Sequence, residues 1–277
     1  GSTGELRDRP AFDLISQASS GIMHALDMQD RPPPIFFGDL ISGAYAAMGI
    51  SFALFSREKT GQGQRVDISM QDVMYYHQFQ AMSIRALGES ADDTAGILGR
   101  SMHNLLTNRE DPLPFWNSYR AQDGFVGVAA LTDSQWRRMM KAIGRDDLAD
   151  DPRFSNFITR VHNSRAGVKI IAQWAAARSC DEIVQALSEQ RVPCAKVIST
   201  EEVNEDPQLK ERGMLAQVEH ASLGTIGVPG SVFKMSLTPG EVSTAHPGLG
   251  EHTEEVLKEL LGLDDARIAE LEAKGAI

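Results

Sequence analysis

Asp39 is the residue of this sequence best suited to chemistry. It is the one acidic residue between Ile35 and Glu58, and it directly precedes apolar and small residues from 40 to 55. A carboxylate at the start of a buried helix is poorly solvated, yet the backbone N–H groups of the first turn stabilise its charge. These conditions suit attack on an activated carbonyl. An N-cap is the plainer interpretation, and both are compatible because capping leaves one oxygen free.

The apolar run behind Asp39 predicts a buried helix at the centre of a domain. Arg57 and Lys59 lie at its end, where basic residues interact favourably with the helix dipole. Gly43 and Gly49 remove bulk, so another element could approach closely. The run is shorter than the roughly twenty apolar residues of a membrane span. We therefore expect a soluble core helix and no membrane partner.

The remaining patterns divide the chain into four parts. We predict a large-domain segment at 1–90, a linker at 91–114, a small α/β domain at 115–199, and a return segment at 200–277. Apolar periodicity predicts helices over 10–28, 71–87, 133–143, 164–177, 181–190 and 253–261. Alternating or continuous apolar residues predict strands over 65–70, 125–131, 193–198, 216–218 and 225–228.

Composition limits the classes of partner and site. A net charge of −11 argues against nucleic acid or an anionic membrane surface as the main partner. Two cysteines, Cys180 and Cys194, are too few for a disulfide framework, and no leader pattern is visible, so we expect a cytoplasmic protein. No metal site is predicted: His77 is isolated on a helix, and His246 and His252 are expected to be solvated turn residues.

Short segments along the whole sequence occur in the order of a known family. They are Arg9 to Asp13 with Gln17 to Gly21, Gly38-Asp39, Arg57 to Val66, Trp136 with Ala142 to Arg145, Asp151 to Phe154, Val192 to Cys194, and Leu249 to Leu257. In this collinear order the chain resembles the family III CoA-transferases, which include formyl-CoA transferase and α-methylacyl-CoA racemase.

The resemblance implies a fold, a reaction and an assembly. The fold would be α/β, with a Rossmann-like large domain built from both ends of the chain, a small α/β domain, and an interlocked homodimer. The substrates would be an acyl-CoA and a carboxylic acid; CoA enters as a thioester, and no cofactor is permanently bound. Asp39 occupies the position of the family's nucleophilic aspartate. The family also has an N-terminal α/β stretch ahead of Gly1 that supplies most CoA contacts, so we assign no CoA-binding residue here.

Two alternatives to the transferase stay open. The racemase branch uses a histidine where this chain has Phe12, which cannot take a proton, although Asp13 beside it remains available as a base. The other alternative is a non-catalytic half that needs its N-terminal segment from elsewhere. Only scattered Gly96 and Gly99 match the glycine-run lid of formyl-CoA transferase, so formate and oxalate are not favoured. A dicarboxylate or branched acyl donor such as succinyl-CoA is expected from the commonness of that donor in the family, and no residue of this chain indicates it.

Overall fold

The computed structural model describes residues 1–78 and 112–277. The chain divides into two compact units, Gly1–Val197 and Ile198–Ile277. Helices and strands are numbered below in the order of the described chain. The later part of the helix predicted over 71–87, the predicted linker 91–114, Gly96 and Gly99 lie outside the described residues.

The regular secondary structure within residues 1–78 is helical. The helices are α1 Asp13–Ser20, α2 Ile22–Ala25, α3 Phe37–Thr60 and α4 Met70–Tyr76. The single helix predicted over 10–28 is broken at Gly21, whose φ of 90° is left-handed. The strand predicted over 65–70 is wrong, because residues 62–69 belong to no ladder and Met70 already begins α4. The alternation of Val66 and Ile68 finds no neighbouring strand among the described residues.

Helix α3 confirms the predicted element but not its predicted burial. It runs for 24 residues and ends at Gly61, whose φ of 71° lets its N–H donate to the carbonyl of Arg57. Only Gly38 and Ser42 are buried, so the prediction of a central buried helix is wrong for the described chain. The helix is also longer than predicted, and its length and composition would suffice to cross a membrane. Core helices of soluble proteins meet the same criteria.

Residues 112–197 form an α/β arrangement around an antiparallel sheet. Strands β1 Trp116–Arg120, β2 Phe125–Ala129 and β3 Cys194–Lys196 pair in the order β1-β2-β3, with Tyr119 opposite Val126 and Val126 opposite Lys196. The helices are α5 Asp133–Ala142, α6 Phe157–His162, α7 Ser164–Ala176 and α8 Cys180–Glu189, with a 3₁₀ turn at Asp146–Leu148. The predicted α5, α7, α8, β2 and β3 are confirmed, whereas β1 and α6 were not predicted.

One hydrophobic core holds this part together. It brings the inward side of β2, represented by Val126, against Trp136 and Met139 of α5 and against Ile183 and Leu187 of α8. Each of these side chains is almost fully buried. The apolar spacing of three and four residues in the helices therefore faces the sheet as predicted.

The second unit, Ile198–Ile277, contains four helices and a hairpin among its elements. They are α9 Thr200–Val203, α10 Pro207–Glu211, β4 Leu215–His220, β5 Gly224–Pro229, α11 Thr253–Leu261 and α12 Asp265–Ala273. Strands β4 and β5 pair antiparallel, with Leu215 opposite Pro229. Both strands and α11 confirm the predictions. Helix α12, capped by Asp264, was not predicted.

Candidate functional site

Asp39 lies at the start of α3, but it does not cap the helix. It is the third helical residue, and the N-cap position belongs to Phe36, which provides no side-chain cap. The predicted N-cap role of Asp39 is therefore wrong. Its side chain is exposed, and within residues 1–78 and 112–277 its carboxylate makes no hydrogen bond or ion pair. Among the described residues, nothing therefore prevents the two carboxylate oxygens from meeting another molecule.

The cap of α3 comes instead from Asp13, the first residue of α1. Its Oδ1 accepts hydrogen bonds from the backbone N–H of Gly38 at 2.7 Å and of Asp39 at 3.2 Å. The residue is 7% exposed. Charge-assisted bonds of this kind satisfy N–H groups that a helix start otherwise leaves unpaired. Asp13 thus fixes the backbone of Asp39 from a different helix.

The capping carboxylate is itself held by its neighbours on α1. Gln17, fully buried one turn later, donates from Nε2 to Asp13 Oδ2 at 2.6 Å. The same amide nitrogen lies 3.2 Å from the carbonyl oxygen of Ile35, in the connector before α3. Ser16 Oγ donates to the carbonyl of Asp13 at 2.7 Å. Both carboxylate oxygens of Asp13 are therefore occupied, and their orientation is set on two sides.

Gly38 is required by this close approach of the two helices. A Cβ atom at this position would lie 2.9 Å from Asp13 Oδ1 and closer still to Ser16 Oγ. Such distances are shorter than ordinary contacts between these atoms. The Gly-Asp pair at the start of α3 therefore has a physical basis: the glycine admits the carboxylate of Asp13, and the aspartate follows on the exposed side.

The sequence pattern indicates Asp39 as a candidate nucleophile, but it does not show the capping role of Asp13, which was expected to remain available as a base. The structure buries Asp13 and uses both of its oxygens, so the expectation that it remains available as a base is wrong. A signal was present, because Asp13, Ser16 and Gln17 have the i, i+3, i+4 spacing of one helix face. The opposite face of α1 carries apolar residues, which a sequence pattern would predict to be buried. In the structure these residues, Phe12, Leu14 and Ile15, are exposed.

The other histidines considered for chemistry have packing or solvent-exposed surroundings. His77 packs against the rings of Tyr45 and Tyr76, with centroids 5.7 and 5.9 Å away, which is a packing role. In the second unit, His246 contacts the ring of His220 at 4.6 Å, and His252 is an exposed residue before α11. Among the described residues, no three His, Cys, Asp or Glu side chains group as a metal site would require.

Neither cysteine has the surroundings of a reactive thiol. Cys180 is buried at the start of α8, and its backbone N–H donates to Asp123 at 2.7 Å. Cys194 is half-buried in β3, and burial raises the pKa of its thiol. A raised pKa reduces the thiolate fraction on which nucleophilic attack depends. The interpretation of Cys194 as a packing residue is supported.

The family model described as CoA-transferase family III matches residues 1–253. The chain belongs to this family, which confirms the resemblance.

Relatives and a solved structure support the same assignment. The chain is 32% identical over its whole length to the succinyl-CoA–D-citramalate CoA-transferase of Chloroflexus aurantiacus, covering 67% of that protein. It is 31% identical over 99% of its length to the formyl-CoA:oxalate CoA-transferase of Streptomyces avermitilis, covering 69%. The crystal structure of a CaiB/BaiF family protein from Brucella suis matches 94% of the chain with 26% identity and a TM-score of 0.71.

The chain spans about two thirds of the length of these proteins, 65% in the case of the Brucella structure. The relatives are named as CoA-transferases, which is consistent with the prediction that this chain is an enzyme of that kind.

Proposed function

We propose that the protein transfers CoA from an acyl-CoA thioester to a carboxylic acid, with Asp39 as the nucleophile. The observation that carries the proposal is that Asp13, and not Asp39, caps the start of α3. Asp13 takes the backbone N–H groups, so the carboxylate of Asp39 is exposed and unpaired among the described residues while its backbone is fixed. A nucleophile held in place with free oxygens meets the geometric requirement for attack on a carbonyl.

The proposed reaction proceeds through two covalent species on Asp39. Its carboxylate oxygen attacks the thioester carbonyl, the C–S bond breaks, and a mixed anhydride and a CoA thiolate form. The thiolate then attacks the aspartyl carbonyl, the anhydride C–O bond breaks, and the first carboxylic acid leaves as its anion. The incoming carboxylate repeats these steps in reverse and restores Asp39. Charge and atoms balance without an added proton or oxidant.

The hydrogen bonds of Asp13 also limit which N–H groups can stabilise the oxyanion of the proposed reaction. The tetrahedral intermediates carry an oxyanion that needs hydrogen-bond donors. The N–H groups of Gly38 and Asp39 are the donors nearest in sequence, but Asp13 accepts from both. The oxyanion must therefore find its donors outside this turn.

The racemase alternative is weakened by the same contacts. Two-base racemisation needs a second group able to exchange a proton with the substrate. Phe12 has no such group, and Asp13 is buried with both oxygens engaged. Of Phe12, Asp13 and Asp39, Asp39 is then the residue whose carboxylate has no partner among the described residues, and one base fits a transferase better.

The proposed acyl donor, assembly and cellular location rest on the family and on composition. Succinyl-CoA is the proposed donor, because the relative from Chloroflexus is named for it. We propose an interlocked homodimer with a Rossmann-like large domain, as the family resemblance implies. Two free cysteines and the absence of a disulfide between them accord with a cytoplasmic protein.

Trapping the covalent species on Asp39 tests the proposal. The protein is incubated with succinyl-CoA and quenched with hydroxylamine, and peptides are mapped by mass spectrometry. We expect a hydroxamate at Asp39, and Asp39→Asn should lose both the adduct and more than about 10³-fold in transfer rate. Since Asp39 is not the cap, this substitution should cost only about 0.3–1 kcal/mol of stability through the helix dipole.

Asp72 provides the matched control. It is exposed and is the third residue of α4, as Asp39 is of α3. Asp72→Asn should keep the adduct and the rate. Full activity in Asp39→Asn would remove Asp39 from the mechanism. An adduct that forms only in a longer chain carrying the family's N-terminal stretch would favour the partner-dependent half, and α-proton exchange without transfer would favour the racemase.

A further inference from the structure

Helix α1 presents an unusual surface to α3. Its buried residues are Asp13, Ser16 and Gln17, all polar, whereas Phe12 is 82% exposed. A short helix ordinarily buries its apolar face, because burial of apolar area is the main favourable term in packing. The polar face of α1 must therefore be accounted for by the contacts that it makes.

Those contacts converge on the two residues that open α3. Asp13 accepts from the N–H groups of Gly38 and Asp39, and Gln17 holds both Asp13 and the carbonyl of Ile35. The connector and the first turn of α3 are thus fixed by one buried pair of side chains. None of these bonds reaches the carboxylate of Asp39.

We infer that Asp13 is a positioning residue for Asp39: it takes the place of the nucleophile as the cap of α3, fixes the backbone of Asp39, and leaves the Asp39 carboxylate unbonded among the described residues. This inference rests on the proposed role of Asp39. An aspartate near a helix start commonly folds back onto the N–H groups of its own turn. With those groups already bonded to Asp13, the side chain of Asp39 has no such alternative and stays directed outward.

The test compares three substitutions in the complete protein. Asp13→Ala removes the acceptor. Asp13→Asn keeps an oxygen of the same reach for the two N–H groups. Asp264→Ala removes a comparable cap, because Asp264 accepts from the N–H of Arg267 at 2.9 Å at the start of α12. This last variant shows what the loss of any helix cap does to the protein.

The rate of adduct formation at Asp39 is measured with succinyl-CoA in single turnovers, together with KM and the melting temperature. We expect Asp13→Ala to slow adduct formation about 100-fold with KM unchanged, since a misplacement of about 1 Å has effects of that size. Asp13→Asn should recover most of the rate. Asp264→Ala should lower the melting temperature and leave the rate unchanged.

Two results would overturn the inference. The first is a native rate of adduct formation in Asp13→Ala, which would leave Asp13 a structural cap only. The second is an equal loss of rate in Asp264→Ala, which would show that the rate follows stability rather than position.

A separate readout distinguishes this inference from the proposed function. If the native protein forms no adduct at Asp39, the proposed function fails, and hydrogen exchange of the Gly38 and Asp39 amides decides the role of Asp13. Slow exchange in the native protein and in Asp13→Asn, with fast exchange in Asp13→Ala, upholds Asp13 as the residue that fixes this turn. Equal exchange in all three proteins refutes it.

Discussion

The two described parts of the first unit bury opposite kinds of side chain. In residues 112–197, nineteen mostly apolar residues form one core, from Leu113 to Val192. In residues 1–78, the buried apolar side chains are those of Pro33, Val73 and Met74, while α1 and α3 bury polar groups. The first arrangement gains its stability from apolar burial. The second uses buried hydrogen bonds, which contribute little net energy but fix geometry.

This contrast shows which part of the chain holds its side chains in defined directions. Apolar packing tolerates repacking of similar volumes, whereas a buried carboxylate needs its partners in defined directions. The buried hydrogen bonds of Asp13 and Gln17 hold the backbone of Asp39. The apolar core lies in residues 112–197, which contain no proposed catalytic residue. The proposed nucleophile and the apolar core therefore belong to different stretches of the sequence.

The sharpest test of the contrast compares two phenylalanines. Phe154 is fully buried against Trp136, whereas Phe52 on α3 is 67% exposed. Phe154→Ala should cost about 3–5 kcal/mol through lost burial and a cavity. Phe52→Ala should change stability by less than about 0.5 kcal/mol. Urea denaturation measures both values.

Equal costs would break the comparison. They would mean that the apolar side of α3 is covered in solution, and the cost of Phe52→Ala should then depend on protein concentration if a second chain provides the cover.

A buried charge in the apolar core gives a second comparison. Arg160 is 1% exposed, donates to the carbonyl of Phe154 at 3.0 Å, and pairs with Asp133. Its guanidinium also lies over the rings of Phe115 and Trp136. Arg160→Ala should cost about 2–4 kcal/mol, because packing and these bonds are lost together.

Arg137 is the matched control for Arg160. It pairs with Asp150 at 3.0 Å on the surface of the same part. Arg137→Ala should cost less than about 1 kcal/mol, since exposed ion pairs contribute little. If the two arginines cost the same in urea denaturation, the buried polar group in this core would be as dispensable as a surface one.

The smallest expected effect is electrostatic. The side-chain hydrogen bond from Arg153 lowers the pKa of Asp151 to about 2. A lowered pKa in the folded state adds stability above the unfolded value of about 3.9, and that stability is lost as pH falls through about 2. Asp151→Asn should therefore lower the melting temperature at pH 6 but not at pH 2. A constant difference at both pH values would show that the bond contributes through geometry alone.

The sequence predicted elements well where the pattern is local. Apolar spacing identified α5, α7, α8 and α11, and the apolar run after Asp39 identified α3, which begins earlier than predicted, at Phe37. Strand β1 was missed because Trp116 to Arg120 is polar and mostly exposed, with Tyr119 its one buried residue. Predictions that needed a partner failed: the strand over 65–70 has no neighbouring strand among the described residues, and the described chain leaves all residues of α3 except Gly38 and Ser42 exposed or half-buried.

The role of Asp13 could not be predicted for a related reason. A cap is expected within the turn that it serves, and Asp39 satisfied that expectation. The true partner of Gly38 lies 25 residues earlier. No periodicity links two such positions, and only the packing of α1 on α3 brings them together.

The distance in sequence between Asp13 and Gly38 also bears on the order of folding. Most helices complete their first turn with local residues and can do so before any tertiary contact forms. The N–H groups at the start of α3 are capped by a residue 25 positions earlier, which requires the connector to be ordered and α1 to be docked. The geometry around Asp39 is therefore absent from the helix alone and arises only once α1 has docked on α3.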